Sequence, residues 1–290
     1  MSKEKIKVLI DSSSGLPLEE CKKRDYEIIG LPFMLDDVEY DDLTITWDDF
    51  YSKLNTATKI NTSQANIKIV VEKIDEMLEN CDKVLYLPIT SGLSSAYNTG
   101  YLLCEEEKYK GKVFCIDHRT ISIPEVRLLD DISCMIESGL SATDIKEKVE
   151  KNAKNDIWIV VDNFNFLKKG GRVDAVTATI GNILNIKPIL YSDGGKFKVV
   201  KKERSIKNAL DVILDIEASS INNDLSKIGK EYLIDVAYTK NIDLATEMRQ
   251  EIHEKFNIPI DNINMYELPK VVGCHTGPNT LGTAIYRKII

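Results

Sequence analysis

The chain has 290 residues, 46 of them acidic and 38 basic, for a formal net charge of −8. That length suits two packed cores, since single cores stop growing near about 250–300 residues. The acidic balance argues against a phosphate-backbone partner, so no nucleic acid is expected. Cys21, Cys81, Cys104, Cys115, Cys134 and Cys274 contain no close pair of zinc or redox type. No charged leader precedes an apolar stretch, and a reduced, cytoplasmic setting is expected. The longest uncharged run, Val84 to Cys104, is broken by Pro88, Gly92, Asn98, Gly100 and a Ser/Thr cluster. It reads as strand, loop and helix rather than a membrane span, and no stable membrane insertion is expected.

Lys7 to Ile10 is a short apolar strand ending at Asp11, followed by the loop Ser12-Ser13-Ser14-Gly15. Pro17 can open a helix, because its fixed φ and missing N–H are harmless at the first helical position. Ile28 to Leu35 reads as extended. Thr46 with Asp49 predicts a helix start, with Phe50 and Leu54 as the apolar edge. Ile67, Val70, Val71, Ile74, Met77 and Leu78 follow helical spacing, leaving Lys68, Glu72 and Glu76 outside. A strand at Val84–Ile89, a helix at Ala96–Lys108 and a strand at Lys112–Ile116 continue the alternation. Such alternation implies crossovers and a parallel sheet with helices on its faces, where ligands sit at the carboxyl ends of the strands.

Ser141 with Asp144 starts a further helix, and Ile157 to Val161 opens a new strand. Beyond it, Ile186–Tyr191 and Lys196–Val200 flank the hairpin turn Asp193-Gly194-Gly195. Helices are expected at Ser205–Ser219 and Asp243–Phe256, with strands at Tyr232–Ala237 and Ile263–Tyr266. The expected fold is therefore α/β in two domains. Residues 1–155 would form a parallel sheet with helices on both faces, and residues 156–290 a second α/β domain with a mixed or antiparallel sheet, the ligand lying between or within them.

Three polar clusters carry the chemistry: Thr62-Ser63-Gln64, Ser91-Gly92-Leu93-Ser94-Ser95 and His275-Thr276-Gly277-Pro278. The first two lead into apparent helices, where hydroxyls and exposed backbone N–H groups can converge on a carboxylate or phosphate. His275 stands in a glycine-rich loop whose backbone can approach a ligand closely. Gly92-Leu93-Ser94-Ser95-Ala96 also resembles a nucleophile elbow without its last glycine, and the order Ser94, Asp162, His275 matches one hydrolase triad sequence. An esterase-like serine hydrolase using Ser94 and His275 is the alternative function. Against it stands ordinary capping by the serine loop. Lys168-Lys169-Gly170-Gly171-Arg172 is the strongest basic cluster, fit for an anion or for a solvated turn. No P-loop, dinucleotide fingerprint or metal constellation is present, so no cofactor is expected.

Five motifs in order, Asp11-Ser12-Ser13, Thr62-Ser63-Gln64, Ser91-Gly92-Leu93-Ser94-Ser95, Leu167-Lys168-Lys169-Gly170-Gly171-Arg172 and His275-Thr276-Gly277-Pro278, resemble the DegV family of bacterial fatty-acid-binding proteins. The resemblance spans nearly the whole chain. It implies a non-enzymatic carrier that buries a long-chain fatty acid and presents the carboxylate to an ATP-binding fatty acid kinase subunit, which makes the acyl phosphate. It also implies that Thr62 or Ser63, with Ser94 or Ser95 and His275, holds the carboxylate. Arg172 would serve the exposed head group or partner docking. The chain departs from the family pattern at Gly15, Ala65 and Asp117-His118-Arg119, and at Ile121-Ser122-Ile123-Pro124-Glu125, where a Ser/Gly-rich stretch is usual.

Overall fold

A computed structural model describes residues 4–152, 155–170, 186–221 and 225–290. The first sheet has the order β2-β1-β6-β7, from β1 (Ile6–Asp11), β2 (Tyr26–Ile29), β6 (Lys83–Leu87) and β7 (Val113–Cys115). All its pairings are parallel. Alternation along β1 explains the two-sided covering. Val8 and Ile10 face a core with Leu129, Ile132 and Ile145, from α5 (Ile123–Glu137) and α6 (Ala142–Asn152). Leu9 faces Val70, Ile74 and Leu103, from α3 (Ile67–Leu78) and α4 (Ala96–Cys104).

The second sheet runs β10-β9-β8-β13-β11-β12. Its strands are β8 (Asn155–Val160), β9 (Lys187–Ser192), β10 (Lys198–Glu203), β11 (Tyr232–Tyr238), β12 (Met265–Glu267) and β13 (Leu281–Arg287). It is antiparallel except for the β11–β12 pair, hence mixed as expected. One face packs on α8 (Ile206–Ser220) and α9 (Ile242–Phe256), burying Trp158, Val160, Ile213 and Met248. The other face, with Ile157, Ile159 and Ala284, turns toward the first half and packs with Ile121, Ile89 and Leu93.

The halves are tied by a forked ion pair. Arg127 on α5 donates through Nε and Nη2 to the two carboxylate oxygens of Asp235 on β11, both at 2.7 Å. Burial raises the Asp235 carboxyl, and the Arg127 hydrogen bonds and charge oppose that rise. Tyr286 of β13 also reaches the first core, its hydroxyl donating to Asp131 at 2.7 Å.

Local expectations hold with informative exceptions. The α2 helix (Trp47–Thr56) starts at Thr46, whose hydroxyl oxygen accepts from the Asp49 N–H at 3.2 Å. The helix expected to reach Lys108 stops at Cys104. The extended stretch at 28–35 is two strands, β2 and then β3 (Pro32–Leu35). The latter forms a small sheet with β4 (Val38–Asp41) and β5 (Ile60–Thr62), with order β4-β3-β5. His275 lies not in a loop but in the last turn of α10 (Lys270–Thr276), in spite of Gly273. The glycine is there for contact, because a Cβ at that position would meet the Phe50 ring at 3.1 Å. Among the described residues, no helix is long and apolar enough to cross a membrane.

Candidate functional site

The polar clusters converge because three separate pieces of scaffold end at one place. Thr62 closes β5, where it sits opposite Phe33 of β3. Ser94 follows β6 in the turn before α4, its N–H bonded to the Thr90 carbonyl at 3.1 Å. His275 comes from α10. Thr62 Oγ1 and His275 Nε2 lie 2.8 Å apart in a hydrogen bond. Thr62, Ser63, Ser94 and His275 all line one cavity of about 660 Å³, part of it open to solvent. The remaining wall is chiefly apolar, including Leu31, Leu93, Ile121, Ile159, Phe197 and Val271.

The serines are not equivalent. Thr90 Oγ1 and Ser91 Oγ donate to the Asp117 carboxylate at 2.8 and 2.5 Å, and the Ser91 N–H adds a third bond at 3.1 Å. Burial by itself would raise the Asp117 carboxyl, but these bonds hold it below the ordinary carboxylate range. Those two hydroxyls are therefore spent on shaping the loop. Ser95 Oγ donates to Gln64 Oε1 at 3.2 Å, and Thr99 Oγ1 donates to the same oxygen at 3.1 Å. Ser95 is exposed and is not on the cavity wall, whereas Ser94 is on it. The Ser94 oxygen accepts only a 3.2 Å bond from the Ala96 N–H, and its proton can point to a ligand.

A buried layer fixes α10. Ser12 Oγ donates to Asp42 at 2.9 Å and accepts from the Leu31 N–H at 3.0 Å. Asp42 in turn accepts from the Lys270 N–H at 3.0 Å, anchoring the start of the helix. Lys270 Nζ donates to the Asp42 carbonyl at 2.8 Å and stacks 4.1 Å from the Trp47 ring centroid. Burial pushes the Asp42 carboxyl up to about 6 against the pull of Lys270. Sequence reading left Asp42, Lys270 and Trp47 without a role. The sign that could have marked them is Asp11-Ser12-Ser13, whose middle serine is the link to Asp42.

The hydrolase geometry is not what the hydrogen bonds build. The His275 Nε2 faces Thr62, and Asp162 is engaged by Lys187 Nζ at 2.5 Å and Asn279 Nδ2 at 3.2 Å. On the basic cluster, Leu167 lies on α7 (Phe164–Gly170) and lines the cavity. Lys169 Nζ donates to the Ala57 carbonyl at 3.0 Å. Arg172 lies outside the described residues. Among those residues, no group of three or more His, Cys, Asp or Glu side chains is placed to hold a metal ion.

The fold is α/β, and its cavity combines a few hydroxyl and imidazole groups with an otherwise apolar wall. A family model described as "Uncharacterised protein, DegV family" matches residues 5–288, and the chain belongs to the DegV family. A DegV domain-containing protein of Clostridium perfringens is 31% identical over 288 residues, covering 96% of each chain. A fatty acid binding DegV family protein from Streptococcus agalactiae superposes with a TM-score of 0.86 at 26% identity, over 98% of this chain and 99% of that one. A Thermus thermophilus DegV family protein, described for its fatty acid binding, superposes with a TM-score of 0.85 at 25% identity over the same shares.

Proposed function

We propose that the protein is a carrier for one long-chain fatty acid, with the carboxylate held by Thr62, Ser63, Ser94 and His275 and the acyl chain along the apolar wall. The observation that carries this reading is the Thr62–His275 pair at 2.8 Å, which lines the same otherwise apolar cavity as Ser94. The solved relatives that bind fatty acids support it. Each buried methylene contributes about 0.8 kcal/mol, so the tail supplies affinity. Hydrogen bonds to the charged head offset its dehydration at about 1.5–3 kcal/mol each and orient it. Neutral hydroxyls do this without a tight ion pair, leaving a carboxylate oxygen able to attack.

In this reading the carrier is not itself an enzyme and needs no cofactor. A separate ATP-binding kinase subunit transfers the γ-phosphoryl group to the presented carboxylate, giving acyl phosphate and ADP, and Arg172 serves the head group or that partner. The encounter takes place in the cytoplasm. Lipid extraction and mass spectrometry of the purified protein test the first part. A bound long-chain acid, or stoichiometric uptake of added acid, is the expected result, and a folded protein that takes up none overturns it. For the second part, Arg172→Ala is expected to retain fatty acid and to lose partner-dependent, hydroxylamine-trappable acyl phosphate. Loss of retention in that variant would reassign Arg172 to the pocket.

A further inference from the structure

A second cavity of about 420 Å³, part of it open to solvent, adjoins the first, and Ile121, Ile159, Phe197 and Val272 line both. These four come from the segment after β7, from β8, from the β9–β10 hairpin and from α10, so four separate elements meet where the two cavities adjoin. Beyond them the wall is formed partly by small residues of the second sheet, Ala237, Gly282 and Ala284. Phe197 is the bulkiest member of the collar, and its position is fixed from outside the cavity. The hairpin tip is closed by Ser192 Oγ, which donates to the Gly195 carbonyl at 2.7 Å and accepts from the Gly194 N–H at 3.1 Å. That tip is seated on the other half of the molecule. A Cβ on Gly194 would fall 2.1 Å from the Arg119 carbonyl oxygen, and one on Gly92 would fall 2.2 Å from the Gly194 oxygen.

We infer that this collar divides the acyl site into a proximal and a distal compartment, and that Phe197 with the small residues Ala237 and Ala284 sets the chain length the protein selects. The inference rests on the fatty-acid reading. A short acid fills only the proximal compartment. A longer one gains by threading the collar, and the gain ends when the distal compartment is full. Ala237 and Ala284 are 8% and 5% exposed and lie in different apolar groups of that compartment, so enlarging either removes space there without touching the head-group donors.

The test is binding of a series of straight-chain saturated acids of increasing length to the delipidated full chain, by displacement of a fluorescent fatty acid. For the unaltered protein, affinity should rise about fourfold per added methylene and then level off. In Ala284→Leu and Ala237→Leu the short acids should bind as before, which also reports intact folding, and the plateau should arrive at a shorter chain. Phe197→Trp should narrow the collar, so that affinity drops further for acids long enough to reach it than for shorter ones. A length dependence identical to that of the unaltered protein in all three variants overturns the inference. Failure of every acid to bind the unaltered protein overturns the fatty-acid reading instead, so the two failures are separable.

Discussion

The donor-bearing wall of the first cavity and the sheet wall of the second are built on opposite principles. The donor-bearing wall is assembled from chain ends and turns: the close of β5, the serine loop after β6 and the final turn of α10. The serine loop is braced by the half-buried Asp117 and α10 by the buried Asp42. The sheet wall is the face of a strand pair, where Ile157 and Ile159 of β8 lie beside Gly282 and Ala284 of β13 in a hydrogen-bonded ladder. A carboxylate needs donors at fixed angles, and loops braced from behind can aim them. A hydrocarbon chain needs only excluded water and the right width, which a sheet face supplies without aimed groups. In the proposed fatty-acid reading, orientation and affinity are thus delegated to different parts of the molecule.

The most severe way to break this division is to unclamp the halves. Arg127→Ala would strand the Asp235 carboxylate, which is 2% exposed. Breaking a buried pair by removing one partner costs about 3–5 kcal/mol, and urea unfolding monitored by circular dichroism should show it as a lower midpoint. A midpoint unchanged within error would mean that water reaches Asp235 and that the clamp matters little.

Next in size is the donor-bearing wall itself. Thr62→Ala combined with Ser94→Ala removes two head-group hydroxyls, and each hydrogen bond to a charged group contributes about 1.5–3 kcal/mol. Fatty acid affinity should fall at least tenfold, with the length dependence of the series preserved. If the double variant instead alters length preference, head and tail are not separable.

A pH effect should come from behind the site. Glu125 is fully buried, neither of its oxygens has a hydrogen-bond partner among the described residues, and burial with the nearby Asp11 charge raises its carboxyl well above the usual value. Its neighbours on the packed elements include Asp11 at the end of β1 and His118 after β7, the latter pushed by burial to about 4 and hence neutral. Above about pH 4.5 the unfolded glutamate ionises while the folded one keeps its proton. The folded state then binds more protons than the unfolded state, so this group's contribution falls as pH rises toward its folded pKa. The slope is up to about 1.4 kcal/mol per pH unit. Glu125→Gln should flatten the stability profile between pH 5 and neutrality, roughly the window these directions define. An unchanged profile would show that Glu125 is ionised in the folded protein.

The smallest effect sharpens the comparison most finely. Ser95→Ala should leave fatty acid retention within about twofold, since Ser95 serves Gln64 rather than the cavity and an exposed hydrogen bond contributes about 0.5 kcal/mol at the low end. A Ser95 variant that empties the protein as thoroughly as the Ser94 one would erase the distinction between the two hydroxyls.

How far this was legible in the chain depended on range. Caps are local, so Thr46 with Asp49 and the periodic run from Ile67 announced their helices. The ordered motifs announced Thr62, Ser94 and His275 as companions, although nothing short of the fold could choose Ser94 over Ser95. Helix α5 was missed because apolar and acidic residues share its buried side: Glu125 and Asp131 are buried along with Val126, Leu129 and Ile132. Charge therefore did not mark the exposed face. The β4-β3-β5 sheet was missed because pairing Phe33 with Thr62 is a contact between distant segments. Phe197 and Ala284 carried no sign at all, since a residue lining a tunnel and one filling a core have the same chemistry.

The seat of the hairpin on the serine loop is glycine against glycine: Gly92 meets Gly194 and Gly195 with no room for one further carbon. A joint of this kind works like a machined stop, where two surfaces set a spacing because neither carries any padding. Damage to it would appear at a distance. A methyl group at Gly92 would press on the hairpin that carries Phe197, so that, under the proposed chain-length selection, a residue outside the cavity wall would change how far along the hydrocarbon the protein measures.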